Sequence, residues 1–566
     1  MLTQSQTAME CPAAQRLDEC FPGAVQNQEL AAGQWTLQIE QRRLEDVLAL
    51  LCDDPALYFN FLTDLTAVDC QRLQAPQRFA LIYHLDSHPH DQRLRLKTFI
   101  DSETSVPTAK NLWPGAAWLE REVYDMFGIE FSGHVGLARL LLPTGFAHHP
   151  LRKDYPLQGT GAREEILAEE EPQESGDGTV LLNLGPQHPV AGGNLHIVLE
   201  VDGETIVGAR ANLGLLHSGF EKLGEWQTYT QFITATDRIS YHAPFAGNLA
   251  YVVAVEKMLE LEVPRRAQYI RVALAELGRC ADHLIWLAQQ AGGIGVEAVA
   301  LHALAEREHL CDLFEATTGA RLMTSFTRIG GMAEDVPAHF GEMAQDCLRR
   351  LRHLLDEVHG ILSHNRVWLE RSRGVGVIQA EEAIAWGLSG PVARAAGVER
   401  DVRRNAPYAA YEEFDFDVPV GMEGDVYDRY LVRLEEIEQS CRIVDQVVRD
   451  LPDGPYAIVD DKISLASKSQ VYSRAEALIH HFKFWMDGHG IRPQAGVEVY
   501  VPTEAANGEF GFYLVGDGTD RAYRVRVRAP SLMHYQFFEK IVRGSDLDDA
   551  ATVLASLNIG AGEVDR

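Results

Sequence analysis

Between Gln158 and Gly178 the chain reads QGTGAREEILAEEEPQESGDG, a Glu- and Gly-rich stretch with no apolar period. Such a segment buries too little apolar surface to join a core, so a chain of 566 residues must build its cores on either side of it. The sequence therefore predicts a domain over residues 1–157, an acidic linker over 158–178 and a larger domain over 179–566.

The first domain mixes two periods. Leu44 to Leu51 has the spacing of a short amphipathic helix, and Phe79 to Asp86 alternates like a strand, which predicts a compact α+β unit. It closes with WLEREVYDMFGIEFSGH (Trp118 to His134) and GFAHHPLRKDYPL (Gly145 to Leu157). Aromatic, acidic and basic residues interleave there as at an interface rather than in a catalytic pocket.

The second domain opens with NLGPQHPVAGGNLH, Asn183 to His196. Pro and Gly are too dense for a helix, and the flanking alternation reads as a β-hairpin that holds this loop as a working surface. Farther on, apolar residues recur every three or four positions at Ile270, Leu274, Leu277, Ala281 and Leu284, from Ala338 to Leu369 and from Val426 to Val448. These runs predict long helices packed as a bundle, with Pro264 and Pro337 at or near helix starts. The last hundred or so residues return to strands, and Gly516-Asp517-Gly518-Thr519 marks a hairpin turn. The overall class is α+β.

A formal charge of −31 with no Lys/Arg run excludes nucleic acid as a partner. The eight cysteines are scattered without a CxxC pair, which favours reduced thiols in the cytosol. No signal-like start and no run of about 18 apolar residues is present, so any membrane association is expected to be peripheral, through another subunit.

Glu276, Arg279 and His283 share one stripe of an apolar helix, where they form either a structural network or the wall of a polar cavity. The doublets His148-His149 and His480-His481 cannot chelate a metal together, because neighbours on a helix point about 100° apart. Gly374-Val375-Gly376-Val377 lacks the third glycine and preceding strand of a dinucleotide fingerprint, and neither a GxxxxGK[ST] loop nor a GxSxG elbow occurs. NAD, ATP and serine-hydrolase chemistry are thereby disfavoured.

EREVYDMFGIEF and GFAHHPLRKDYPL resemble the 30-kDa subunit of respiratory complex I. GPQHP, GFEKLGE, AYVVAVEKML, EREHLCDLFE, NAPYAAYEEFDFDVPVG and EALIHHFKF resemble its 49-kDa subunit, in the family's order. The whole chain thus looks like a fused C/D-type subunit of bacterial NADH-quinone oxidoreductase. The 49-kDa subunit is related to the large subunit of nickel–iron hydrogenases, which implies a hydrogenase-like fold and makes hydrogenase the competing class. Ser240 and Ala243 occupy the positions of the first metal-binding CxxC pair and Asn558 to Glu563 those of the second, so nickel has no thiolates here.

The resemblance implies a peripheral-arm subunit on the cytoplasmic face of the bacterial inner membrane. Its expected partners are the subunit holding the terminal iron–sulfur cluster and the adjoining membrane subunits. It implies no cofactor on this chain, quinone as the substrate, and iron–sulfur clusters, FMN and NADH on partner subunits, with electron transfer coupled to proton translocation. The quinone pocket maps onto Tyr241, which holds the headgroup, together with His188, Gly192, Gly193 and His196; Ser218, His283 and Met323 map near the terminal cluster.

The family pattern GPQHPxxHG reads GPQHPVAGG here, which puts Gly192 where a headgroup histidine belongs, and an ungapped count puts its aspartate partner at Gly293. Met323 and Ser218 stand where the family carries a histidine and an arginine. Losing one donor costs roughly 3 kcal/mol unless His188, His196 or His242 takes its place. The alternative function is a scaffold subunit of a complex I paralogue that lacks ordinary quinone chemistry.

Overall fold

The computed structural model describes residues 11–160, 178–188, 190 and 194–566. The chain divides into two compact units, Met1–Ala168 with Ala385–Gly387, and Glu169–Ile384 with Leu388–Arg566.

The first unit is built on a five-stranded sheet of β1 (Val25–Ala31), β2 (Gln34–Ile39), β3 (Phe61–Asp69), β4 (Phe79–Ser87) and β5 (Gln92–Ile100), in the order β1-β2-β5-β4-β3. Within this sheet only β2 and β5 run parallel. The strand expected at Phe79 is present, but all of β4 is buried instead of every second residue. Within it the buried Asp86 is paired with Arg93 at 3.1 Å.

The helix Ala116–Phe127 lies along β3 and carries the acidic residues read above as an interface. Two short strands that flank it in sequence, β6 (Val106–Pro107) and β7 (Phe131–Ser132), pair in parallel. The acidic residues turn inward. Asp125 accepts from the backbone N–H groups of Leu140, Leu141 and Leu142 and from Arg139, while Glu120 accepts from Thr108 and the Ala109 N–H. The helix stops at Gly128 (φ +73°), where a Cβ would come within 2.5 Å of the Arg152 guanidinium.

The second unit opens with an antiparallel sheet of β8 (Val180–Leu184), β9 (His196–Asp202) and β10 (Thr205–Asn212), with β9 in the middle. The Pro- and Gly-rich stretch therefore links two paired strands, as the flanking alternation predicts. Four long helices, Arg265–Gly293, Glu297–Thr318, Phe340–Val358 and Val426–Asp450, close a ring in which each packs on the next. Cys280, Leu284, Leu310, Leu348, Ile437 and Val444 are buried in them. Between the second and third of these helices, β11 (Thr327–Arg328) and β12 (Gly331–Met332) form a short antiparallel hairpin.

The run expected to be helical from Ala338 to Leu369 is broken. After Val358 a wider turn covers His359–Ser363, and Asn365 then restarts a helix at Arg366–Ser372 by accepting from the Val367 and Trp368 N–H groups.

The C-terminal strands β13 (Glu498–Ala505), β14 (Gly508–Gly516) and β15 (Ala522–Arg528) form an antiparallel meander packed against the helix Pro244–Met258. The Tyr-Arg-Val-Arg-Val-Arg alternation in β15 has the pattern of a half-solvated strand, yet every residue of it is buried. The helix Phe220–Trp226 covers β15 and brings Glu221 to the arginines, with Arg524 at 2.7 Å and Arg526 at 3.3 Å.

Candidate functional site around Tyr241

The helix Tyr229–Thr236 begins in a reciprocal cap between Thr228 and Gln231 and ends in the turn Asp237-Arg238-Ile239-Ser240 that delivers Tyr241. Three contacts lock this turn. Asp237 is fully buried and accepts from Arg238 and from both the N–H and hydroxyl of Ser325, the latter at 2.6 Å. Asn248 donates to the Thr236 hydroxyl and the Ile233 carbonyl. At Gly247 a Cβ would lie 2.2 Å from the Thr236 carbonyl, so only glycine lets the helix Pro244–Met258 approach so closely.

The Tyr241 ring stacks edge-on against His242, with centroids 4.4 Å apart, and packs over Gly562, where a Cβ would lie 2.9 Å from the ring. Burial first, then the carboxyl groups of Glu563, Asp282 and Asp565, push the phenol up to about 12. It is therefore protonated at neutral pH. Among the described residues nothing hydrogen-bonds its hydroxyl.

The C-terminal segment gathers the rest of the site. Glu563 is buried and accepts from the Ser240 hydroxyl at 2.8 Å and from the Ser531 hydroxyl. No cation faces it among the described residues, and burial raises its carboxyl to about 7. Asp565 accepts from the Gly214 and Leu216 N–H groups at 2.8 and 2.7 Å, and its carbonyl bonds the His217 ring. The loop that includes Ser218 is thereby pinned, although Ser218 itself is exposed and donates to the Leu216 carbonyl.

The helix Pro530–Ile541 then joins this cluster to the opening sheet through one face. Ser531 bonds Glu563, Tyr535 donates to the His196 carbonyl at 2.9 Å, and Glu539 accepts from the Ala211 N–H.

The remaining expected residues are distributed as follows. Gly192 and Gly193 lie outside the described residues. His196 sits at the start of β9, its ring held between Asn183 and Asn212, and burial with Arg210 nearby lowers its pKa. The His188 ring accepts from the Val190 N–H. Val190 in turn reaches the end of the bundle helix, 3.6 Å from where a Cβ would stand on Gly293. Met323 is half-buried, two residues before the Ser325 that holds Asp237.

His283 is fully buried. Its Nε2–H donates to Glu436 at 2.8 Å while its Nδ1 accepts from Arg433, and desolvation keeps it neutral. With Glu276 and Arg279 it belongs to an enclosed ion network, in which Arg403 bridges Glu276 to Asp401 and Arg394 bridges Glu436 to Glu504. Of the two readings open for that stripe, the structure has the network.

Glu563 is the site residue that motif reading misses. Its signal lies in the hydrogenase resemblance: two stretches that jointly hold a metal in those enzymes must meet in space, and here they meet as Ser240 on Glu563. Among the described residues there is no cluster of three or more His, Cys, Asp or Glu that could hold a metal ion.

Comparison with known proteins matches residues 37–161 to the family described as respiratory-chain NADH dehydrogenase, 30 Kd subunit, and residues 293–566 to the 49 Kd subunit. The molecule thus has the make-up of two respiratory-chain subunits in one chain. The C/D subunit of NADH-quinone oxidoreductase from Bdellovibrio bacteriovorus is 43% identical over 517 residues, covering 90% of this chain and 91% of that one. The C/D subunit of Nitrosospira multiformis is 39% identical over 557 residues, covering 94% and 91%. The separate D subunit of Geotalea uraniireducens is 44% identical over 385 residues, 68% of this chain and 98% of its own length.

The chain belongs to the family of fused C/D subunits of NADH-quinone oxidoreductase. It is an oxidoreductase subunit, active as part of complex I, with other subunits of that assembly as partners. Among the described residues no helix is long and apolar enough to cross a membrane.

Proposed function

We propose that Tyr241 and the loop from Asn183 to His196 form part of the cavity in which the complex reduces quinone, beside the terminal iron–sulfur cluster of a partner subunit. The observation that carries this reading is the Tyr241 hydroxyl, which is protonated, locked in position by its turn and unspent on any internal acceptor among the described residues. A quinone that takes up two electrons and two protons develops negative charge on its carbonyl oxygens, and a fixed phenol donor stabilises that charge more than it stabilises the neutral ground state. Glu563, which holds a proton near neutral pH and bonds the neighbouring Ser240, serves as the local proton store. Proton translocation then begins with resupply of that carboxyl. The subunit sits on the cytoplasmic face of the inner membrane, held there by its partners, and FMN, NADH and the clusters reside on other subunits.

Tyr241→Phe in the assembled complex is expected to lower quinone-linked turnover about a hundredfold, with the set of assembled subunits and electron transfer to an artificial acceptor unchanged. Turnover equal to the parent's would remove Tyr241 from the reaction. The glycines at positions 192 and 293 favour the second reading, a scaffold without ordinary quinone chemistry, and absence of quinone-linked turnover in the parent complex itself would select it.

A further inference from the structure

The segment between Lys462 and Arg492 departs from the electrostatic habit of the molecule. The chain has 82 acidic against 51 basic residues, and arginines elsewhere in the second unit find carboxylates readily. Yet Lys462, His480, Lys483, His489 and Arg492 converge with Phe484 and Gly490 on an open pocket of about 260 Å³. Among the described residues none of these five side chains has a carboxylate partner. Of the nearby acids, Asp461 pairs with Arg474, Asp487 pairs with Arg521, and Asp460 accepts from the Lys462 N–H.

Beside the pocket, the helix Ala475–Lys483 buries only Ala477. Leu478, Ile479, Phe482, Trp485 and Met486 recur at helical spacing along this helix and the turn after it, and all are exposed, Phe482 by 59% and Trp485 by 67%. An apolar ridge of this size beside an unneutralised cationic pocket has the make-up of an interface centre, in which aromatic and Met anchors surround a charge-paired contact.

We propose that this face docks an acidic segment of another subunit of the complex. A carboxylate side chain enters the pocket between Lys483 and Arg492, and apolar side chains of the same segment cover Ile479, Phe482 and Trp485. Charge complementarity supplies the first contact and the ridge supplies the buried area. An anionic lipid surface fits less well, because Asp460, Glu476 and Asp487 are interspersed with the basic residues and would face the headgroups. The inference is independent of the quinone reading, since it uses no residue of the Tyr241 site.

The test uses the purified native complex with p-benzoylphenylalanine in place of Trp485. Irradiation is expected to join this chain to a peptide of a second subunit that carries at least two Asp or Glu within a few residues of the cross-link. Cross-links to lipid alone, to a peptide without carboxylates, or to nothing in the intact complex would overturn the proposal. Lys483→Glu with Arg492→Glu is expected to release that same subunit about tenfold faster at moderate salt, whereas Lys468→Glu, outside the pocket, leaves release unchanged. Equal release from the double variant and the parent would also overturn it. Because these side chains are exposed and make no ion pairs among the described residues, the substitutions leave the fold intact.

Discussion

Buried carboxyl groups in this molecule are held ionised or protonated according to what faces them. Glu221 and Glu276 each face arginines, whose charge outweighs burial and holds both at about 2. Glu563 faces two serine hydroxyls, and burial wins, raising it to about 7. Its folded value lies above its unfolded one, so the folded state binds its proton more tightly. Its effect on stability is therefore most favourable below about pH 4.5 and declines as pH rises toward 7. Replacing it by Gln removes the proton. Relative to Glu563→Gln, the parent is expected to lose on the order of 3 kcal/mol of unfolding free energy between pH 5 and 8 in urea titrations. A difference that stays flat across this range would mean that Glu563 is ionised throughout, and it would end its role as a proton store.

At the level of elements, the long helices are legible because apolar spacing over twenty or so residues has one helical solution. The loop after β8 is legible because Pro and Gly exclude the alternatives. Local pattern fails where polar residues are buried against distant partners. The arginines of β15 look solvated because Glu221, which receives them, lies some three hundred positions away. Tyr241 is readable from its motif, whereas Glu563 becomes visible only when two distant stretches are known to meet. The bundle's ion network has the same character. Glu276, Asp401, Glu436 and Glu504 are set against Arg279, Arg394, Arg403 and Arg433, four against four, with His283 neutral between them. Glu276→Ala takes the carboxylate partner from Arg279 in a dry core, leaves Arg403 with Asp401 alone, and is expected to cost about 3–5 kcal/mol, read as a lower urea midpoint at unchanged slope. Glu276 lies below its unfolded value, so the parent should lose its advantage as pH falls from about 4.5 toward 2 and approach the variant there. A variant as stable as the parent at pH 7 would show that the network contributes nothing.

Across the whole molecule the paired interior leaves the excess of negative charge on the surface. A formal charge of −31 compressed onto a folded chain repels itself more strongly than the same charge on an expanded one, so neutral pH destabilises the folded state. Salt acts on this repulsion and hardly on the enclosed network, because screening within about 10 Å at 0.1 M operates through solvent. The surface pairs that salt also weakens, such as Arg349 with Asp346 and Arg366 with Glu370, are worth little individually. The isolated chain at pH 7 is therefore expected to melt at a higher temperature as sodium chloride is raised from about 20 to 300 mM. Near pH 5, where the net charge approaches zero, the same increase in salt should have almost no effect. Helical circular dichroism followed through thermal scans reads both. A melting temperature that falls with salt at pH 7 would show that surface ion pairs, rather than self-repulsion, dominate the electrostatics of the folded chain.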